Sequence, residues 1–119
     1  MPSLELKTSA KVPDLEKFLL EFSKEGARIL GKPEAYITTS VSPLPLMTFA
    51  GTTEPAFTLL VISLGNITPE KNEVYSKELS EFLQSKLGLS PERGYITFLD
   101  PGNDYLGYKG TTFGTIFGR

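Results

Sequence analysis

At 119 residues with a formal net charge of −2, the chain is expected to form one domain, 1–119, with no basic footprint for nucleic acid and no apolar run long enough to cross a bilayer. It contains neither Cys nor His, which removes disulfides, thiol redox chemistry, Cys- or His-based metal sites and every catalytic triad that uses imidazole. A proton moved near neutral pH must then come from a shifted Lys, Tyr, Asp or Glu, or from an N-terminal amine; no metal and no cofactor is expected.

Segment 3–8 alternates apolar and polar residues and predicts a strand. Glu5, Lys7 and Lys11 stand where the apolar stretch of a signal peptide would lie, so the expected location is cytoplasmic, or outside the cell by a route without a signal peptide. Leu15, Phe18, Leu19, Phe22, Ile29 and Leu30 carry helical spacing over 14–30. Asp14 is placed to cap that helix, Gly31 to end it, and Pro33 prevents its continuation. Tyr36 to Val41 reads as a second strand, followed by a Pro/Gly/Thr-rich connection. Phe57 to Leu64 is apolar at nearly every position, which predicts a strand covered on both faces. Thr68 and Pro69 suit the N-cap and first position of a second helix, whose buried stripe is Tyr75, Leu79, Phe82, Leu83 and Leu87 and whose end is Gly88. Gly94 to Leu99 reads as a further strand. The tail is rich in Gly and aromatics and is expected to hold short strands over 105–117 and no helix.

The two halves resemble each other. Leu30-Gly31, Pro33-Glu34 and Tyr36-Ile37-Thr38 match Leu87-Gly88, Pro91-Glu92 and Tyr95-Ile96-Thr97 in the same order. Segments 3–42 and 57–99 therefore read as an internal repeat of two βαβ units. Such a pair predicts an α/β fold: a pseudo-symmetric, four-stranded mixed sheet with two helices on one face. The other face would be bare although 57–64 is apolar at both parities, so a further subunit is the simplest cover.

Pro2 at the start, GKPEAY, TFAGTTEP, SLGNI and PERGYITF, in this order and spacing, make the chain resemble the macrophage migration inhibitory factor and D-dopachrome tautomerase family. The resemblance covers essentially the whole chain. It implies a homotrimer of two-βαβ subunits with active sites at subunit boundaries. It also implies a cofactor-free keto–enol tautomerase acting on a small aryl keto or enol acid of phenylpyruvate type.

In that family the mature N-terminal proline is the catalytic base, which falls here on Pro2. A free α-amine titrates at about 7.7–8.0, and burial or a nearby cation lowers this towards the working range of a general base. By itself Lys32 reads as a cation at the negative end of a helix dipole; the resemblance makes it the ligand of the substrate carboxylate. Leu64 would bind the same carboxylate through its backbone N–H, with Ser63 a neighbouring candidate. Tyr95, from an adjacent subunit, would line the pocket, and Thr97 stands where the family often has asparagine. Tyr36, Leu106, Tyr108 and Phe113 match residues that wall the pocket, although four apolar residues read equally well as core.

The Cys-x-x-Cys of some family members is here Ala56-Phe57-Thr58-Leu59, which excludes a thiol oxidoreductase activity. Leu44 replaces the acidic residue implicated in receptor mimicry, and its basic partner aligns near Lys11. Two other readings stay open: a cytokine-like trimer that binds a protein receptor and keeps a vestigial pocket, and a hydratase or dehalogenase of unsaturated acids. The last usually needs further acidic or arginine groups, and the arginines are Arg28, Arg93 and Arg119.

Overall fold

The structure, a computed structural model, describes residues 1–118; Arg119 lies outside the described residues. Strand β1 (Ser3–Thr8) leads into helix α1 (Leu15–Leu30), and strand β2 (Thr38–Pro43) closes the first βαβ unit. Strand β3 (Phe57–Ile62), helix α2 (Pro69–Leu87) and strand β4 (Gly94–Leu99) form the second. The sheet runs β2-β1-β3-β4, with β1 parallel to β2, β3 parallel to β4, and the two central strands antiparallel. It is the mixed sheet expected from two joined βαβ units.

Local chemistry sets the helix limits. The Asp14 carboxylate accepts the Lys17 N–H at 3.1 Å, satisfying a donor that α1 leaves without an intrahelical partner. Thr68 does the same for Lys71 at 3.2 Å, with Pro69 at the first helical position where a missing N–H costs nothing. Gly31 and Gly88 end the helices in the left-handed region, at φ 66° and 68°, where an L side chain would be strained.

Both helices pack on one face of the sheet. Phe18, Phe22, Ile29 and Leu30 of α1 and Tyr75, Leu79 and Leu83 of α2 meet Leu4, Leu6, Phe57, Leu59 and Val61. The Phe22 and Phe82 rings stack at 5.4 Å between the helices. Gly94 is small for a packing reason: a Cβ there would stand 2.4 Å from the Phe57 ring.

The strand pairing sets three rows on the opposite face: Thr38, Ser3, Ile62 and Leu99; then Ser40, Glu5, Leu60 and Thr97; then Ser42, Lys7, Thr58 and Tyr95. Neither helix covers them. The β2–β1 side is polar, whereas the β3–β4 side carries half-buried Leu60 and Ile62 and exposed Tyr95 and Leu99. Within one chain β3 is therefore covered on one face, not on both.

Three boundaries differ from expectation. Tyr36 belongs to a single 3-10 turn, Glu34–Tyr36, and β2 begins two residues later, because Pro33 starts a turn closed by Tyr36 N–H to Pro33 carbonyl at 3.1 Å. Strand β3 stops at Ile62, so Leu64 lies in the following turn. The tail is not strand alone. Strands β5 (Gly107–Tyr108) and β6 (Thr111–Thr112) form a tight hairpin, and a short helix α3 (Phe113–Ile116) follows. Lys109 and Gly110 both take positive φ in the hairpin turn, as two-residue turns of this kind require. Thr112 caps α3 by accepting the Thr115 N–H, a signal too short for helical periodicity to reveal.

Candidate active site

The ends of several elements meet around the N-terminus. Pro2 is fully buried, and its carbonyl accepts the Thr38 N–H at 3.1 Å, extending the parallel β1–β2 pairing by one residue. Lys32 follows directly from the left-handed Gly31, which turns the chain off the end of α1. The Lys32 ammonium donates to the Leu64 carbonyl at 3.2 Å, joining the exit of α1 to the turn after β3.

Two adjoining clefts open there. One, of about 360 Å³, is lined by Met1, Lys32, Pro33, Tyr36, Leu64, Gly65, Asn103 and Phe117. The other, of about 260 Å³, is lined by residues that include Met1, Pro2, Tyr36, Leu106, Tyr108 and Phe113. Met1 and Tyr36 border both. The aromatic wall is ordered by stacking: Phe113 lies 5.6 Å from Tyr108 with nearly parallel rings, and 5.4 Å from Phe117. Phe113 is buried while Tyr36 and Tyr108 are partly exposed, so the first anchors the wall and the other two face the opening.

The surroundings favour a neutral amine. The amino group of Met1 is held below its ordinary value, first by burial and then by the charge of Lys32, while Asp100 acts in the opposite direction. Removal of Met1 would transfer the free amine to the Pro2 ring nitrogen; with Met1 in place that nitrogen is an amide without a basic lone pair.

Seven of the ten candidate residues thus gather at the clefts: Pro2, Lys32, Tyr36, Leu64, Leu106, Tyr108 and Phe113. Ser63 does not line them. It is fully buried, its N–H donates to the Leu99 carbonyl at 3.0 Å, and its hydroxyl donates to the Asn66 side-chain oxygen. Tyr95 and Thr97 do not line them either. Both stand on the uncovered face of β4, and Tyr95 lies in the row of Lys7, roughly 17 Å along β1 from Pro2. The Tyr95 ring packs 5.4 Å from Phe49.

The structure adds residues that were not singled out. Asn66, buried behind the turn, donates to the Leu30 carbonyl at 3.0 Å, and its own carbonyl accepts the Tyr75 hydroxyl at 2.9 Å. Asp100 accepts N–H groups from Gly65 at 2.9 Å and Gly102 at 3.0 Å, tying together two loops that border the larger cleft. The Asp-Pro-Gly run could have signalled the contact to Gly102, since aspartate often accepts an N–H two residues on; the contact to Gly65 spans the fold. Arg93 stacks on Phe49 at 5.4 Å and donates to the carbonyls of Pro55 at 3.0 Å and Glu54 at 2.9 Å, so it staples the long connection onto β4.

The family model described as macrophage migration inhibitory factor (MIF) matches residues 1–114. Rat macrophage migration inhibitory factor is 40% identical over 104 residues, covering 87% of this chain and 89% of that protein. The Trichinella spiralis homologue is 35% identical over 114 residues, covering 95% of this chain and 100% of the relative. Two solved structures, the factor from Trichinella spiralis and a homologue from Prochlorococcus marinus, each superpose with a TM-score of 0.87 at 34% identity. They cover 93% and 94% of this chain and 99% of their own. The mixed sheet, the buried proline at the start of a central strand and these similarities agree: the chain belongs to the macrophage migration inhibitory factor family.

Proposed function

We propose that the chain is a keto–enol tautomerase of small aryl α-keto acids, of phenylpyruvate type, with Pro2 as its base once Met1 is removed. Family membership carries a function of tautomerase or cytokine type, and the cleft favours the first. The observation that carries this reading is the convergence of the N-terminus, Lys32 and the Leu64–Gly65 turn on one cleft whose setting lowers an amine's basicity. A neutral secondary amine there accepts the enol hydroxyl proton, and the prolinium returns a proton to the carbon beside the carbonyl. The substrate's composition is unchanged, so the reaction needs no oxidant and no cofactor. Lys32 and the Leu64 N–H hold the carboxylate, while Tyr36, Leu106, Tyr108 and Phe113 take the aryl group.

Assembly completes the site in this reading. A homotrimer would cover the apolar β3–β4 side of the open sheet face and carry Tyr95 and Thr97 of one subunit to the cleft of the next. A hydratase or dehalogenase reading has less support among the described residues. Arg28 pairs with Glu25 and Glu78, Arg93 is committed to the 52–55 backbone, and neither lines the clefts.

The test is turnover of enol phenylpyruvate by protein whose intact mass shows Met1 removed, compared with Pro2→Gly. The expected loss is at least 100-fold, the lower bound for a positioned general base. Unchanged turnover would remove Pro2 from the mechanism. No turnover by correctly processed parent protein, on several enols, would return the chain to the cytokine-type reading.

A further inference from the structure

The cleft's two carboxylate-binding candidates come from elements distant in sequence. Lys32 hangs on the end of α1, and Leu64 sits in the turn after β3. Their direct link is one ammonium-to-carbonyl contact from a flexible side chain. Behind that contact lies Asn66, which is only 6% exposed. Its side-chain nitrogen donates to the Leu30 carbonyl, two residues before Lys32. Its side-chain oxygen accepts from Ser63, the residue before Leu64. Its backbone carbonyl accepts from Tyr75 of α2. One amide therefore grips the exit of α1 and the exit of β3 and is itself held by the second helix. Burial pushes the Tyr75 phenol above its ordinary value, so it remains a hydrogen-bond donor at every working pH.

We propose that Asn66 is a positioning residue that fixes Lys32 and the Leu64 backbone at the spacing at which both reach one substrate carboxylate. This rests on the tautomerase reading above. Asparagine suits the role because its planar amide offers a donor and an acceptor in fixed relation. Aspartate at this position has no donor for the Leu30 carbonyl, and leucine leaves both buried partners unsatisfied. The residue lines neither of the two clefts beside the N-terminus and takes no part in proton transfer, so its loss should weaken carboxylate binding rather than chemistry.

The experiment measures kcat and KM for Asn66→Ala on phenylpyruvate and on its methyl ester, with Met1 removed and folding checked by circular dichroism. The expected result is a KM for the acid raised about tenfold, the lower end of what losing one charge-assisted hydrogen bond to the carboxylate produces. The KM for the ester and kcat for both should stay within about twofold, because a merely structural loss would move all four values. Tyr75→Phe, which removes one donor to the same residue at nearly constant volume, should shift the acid's KM in the same direction by a smaller factor, and it stands in if Asn66→Ala does not fold. Acid and ester constants that change in parallel, or not at all, overturn the positioning role while Pro2-dependent turnover persists. Parent protein without Pro2-dependent turnover overturns the tautomerase reading and this inference with it.

Discussion

Replacing Lys32 by glutamine removes a positive charge and leaves a neutral donor on a side chain one bond shorter, where the ammonium now stands 3.2 Å from the Leu64 carbonyl. Two effects follow from that one charge. A charge-assisted hydrogen bond to a carboxylate contributes about 1.5–3 kcal/mol, so KM for phenylpyruvate should rise roughly 10- to 150-fold. The same charge is the second cause, after burial, of the lowered basicity of the Met1 amine, and Asp100 opposes it; the Pro2 amine freed by removal of Met1 is expected to feel the same charges. Without Lys32, burial still depresses the amine, but Asp100 is no longer countered by a cation. The amine's pKa must therefore rise. A base works in its free form, above its pKa, so the acidic limb of kcat/KM should move to higher pH. The assay is the pH profile of kcat/KM for parent and Lys32→Gln, at low and high ionic strength, with the difference shrinking in salt. A limb that stays in place or moves to lower pH would refute the effect of Lys32 on the amine, and an unchanged KM would refute its hold on the carboxylate.

Leu79→Ala empties a site that is fully buried between α2 and the sheet, and should cost about 2–5 kcal/mol in urea unfolding. Asp14→Ala removes the side-chain acceptor for Lys17 and should cost about 1 kcal/mol, read as a lower denaturation midpoint at unchanged slope. Leu60→Glu puts a carboxylate beside Glu5 and Thr97 in the middle row of the open face. If copies of the chain cover that face, light scattering should read about three chain masses for the parent and one for the variant, with far-ultraviolet dichroism retained. Equal masses for the two proteins would show that this face is not the interface.

How much of this could be read beforehand depends on the range of the interactions. Helix α1 was legible to within a residue because Asp14, the Phe18–Phe22 spacing and Gly31 are local signals that packing does not override. The sheet was legible because Leu4 and Leu6 alternate and because the two halves repeat as βαβ units. Boundaries failed where a turn competes with a strand: Tyr36 has strand propensity, but Pro33 commits the next three residues to a 3-10 turn. In the tail, α3 is four residues long, and its cap, Thr112, is also the last residue of a strand. The cleft was partly legible. Pro2 and Lys32 stand beside punctuation that a sequence displays, whereas Asn66 and Asp100 act through backbone groups more than thirty residues away. A contact to a backbone group leaves no trace in the identity of its partner: Leu30 and Gly65 would look the same with or without it. Arg93 shows the same limit, since a residue beside a loop looks like surface until the carbonyls of Glu54 and Pro55 are brought to it. What sequence reveals best is the chemistry a residue can offer, and what only the fold supplies is the set of backbone atoms that receives it.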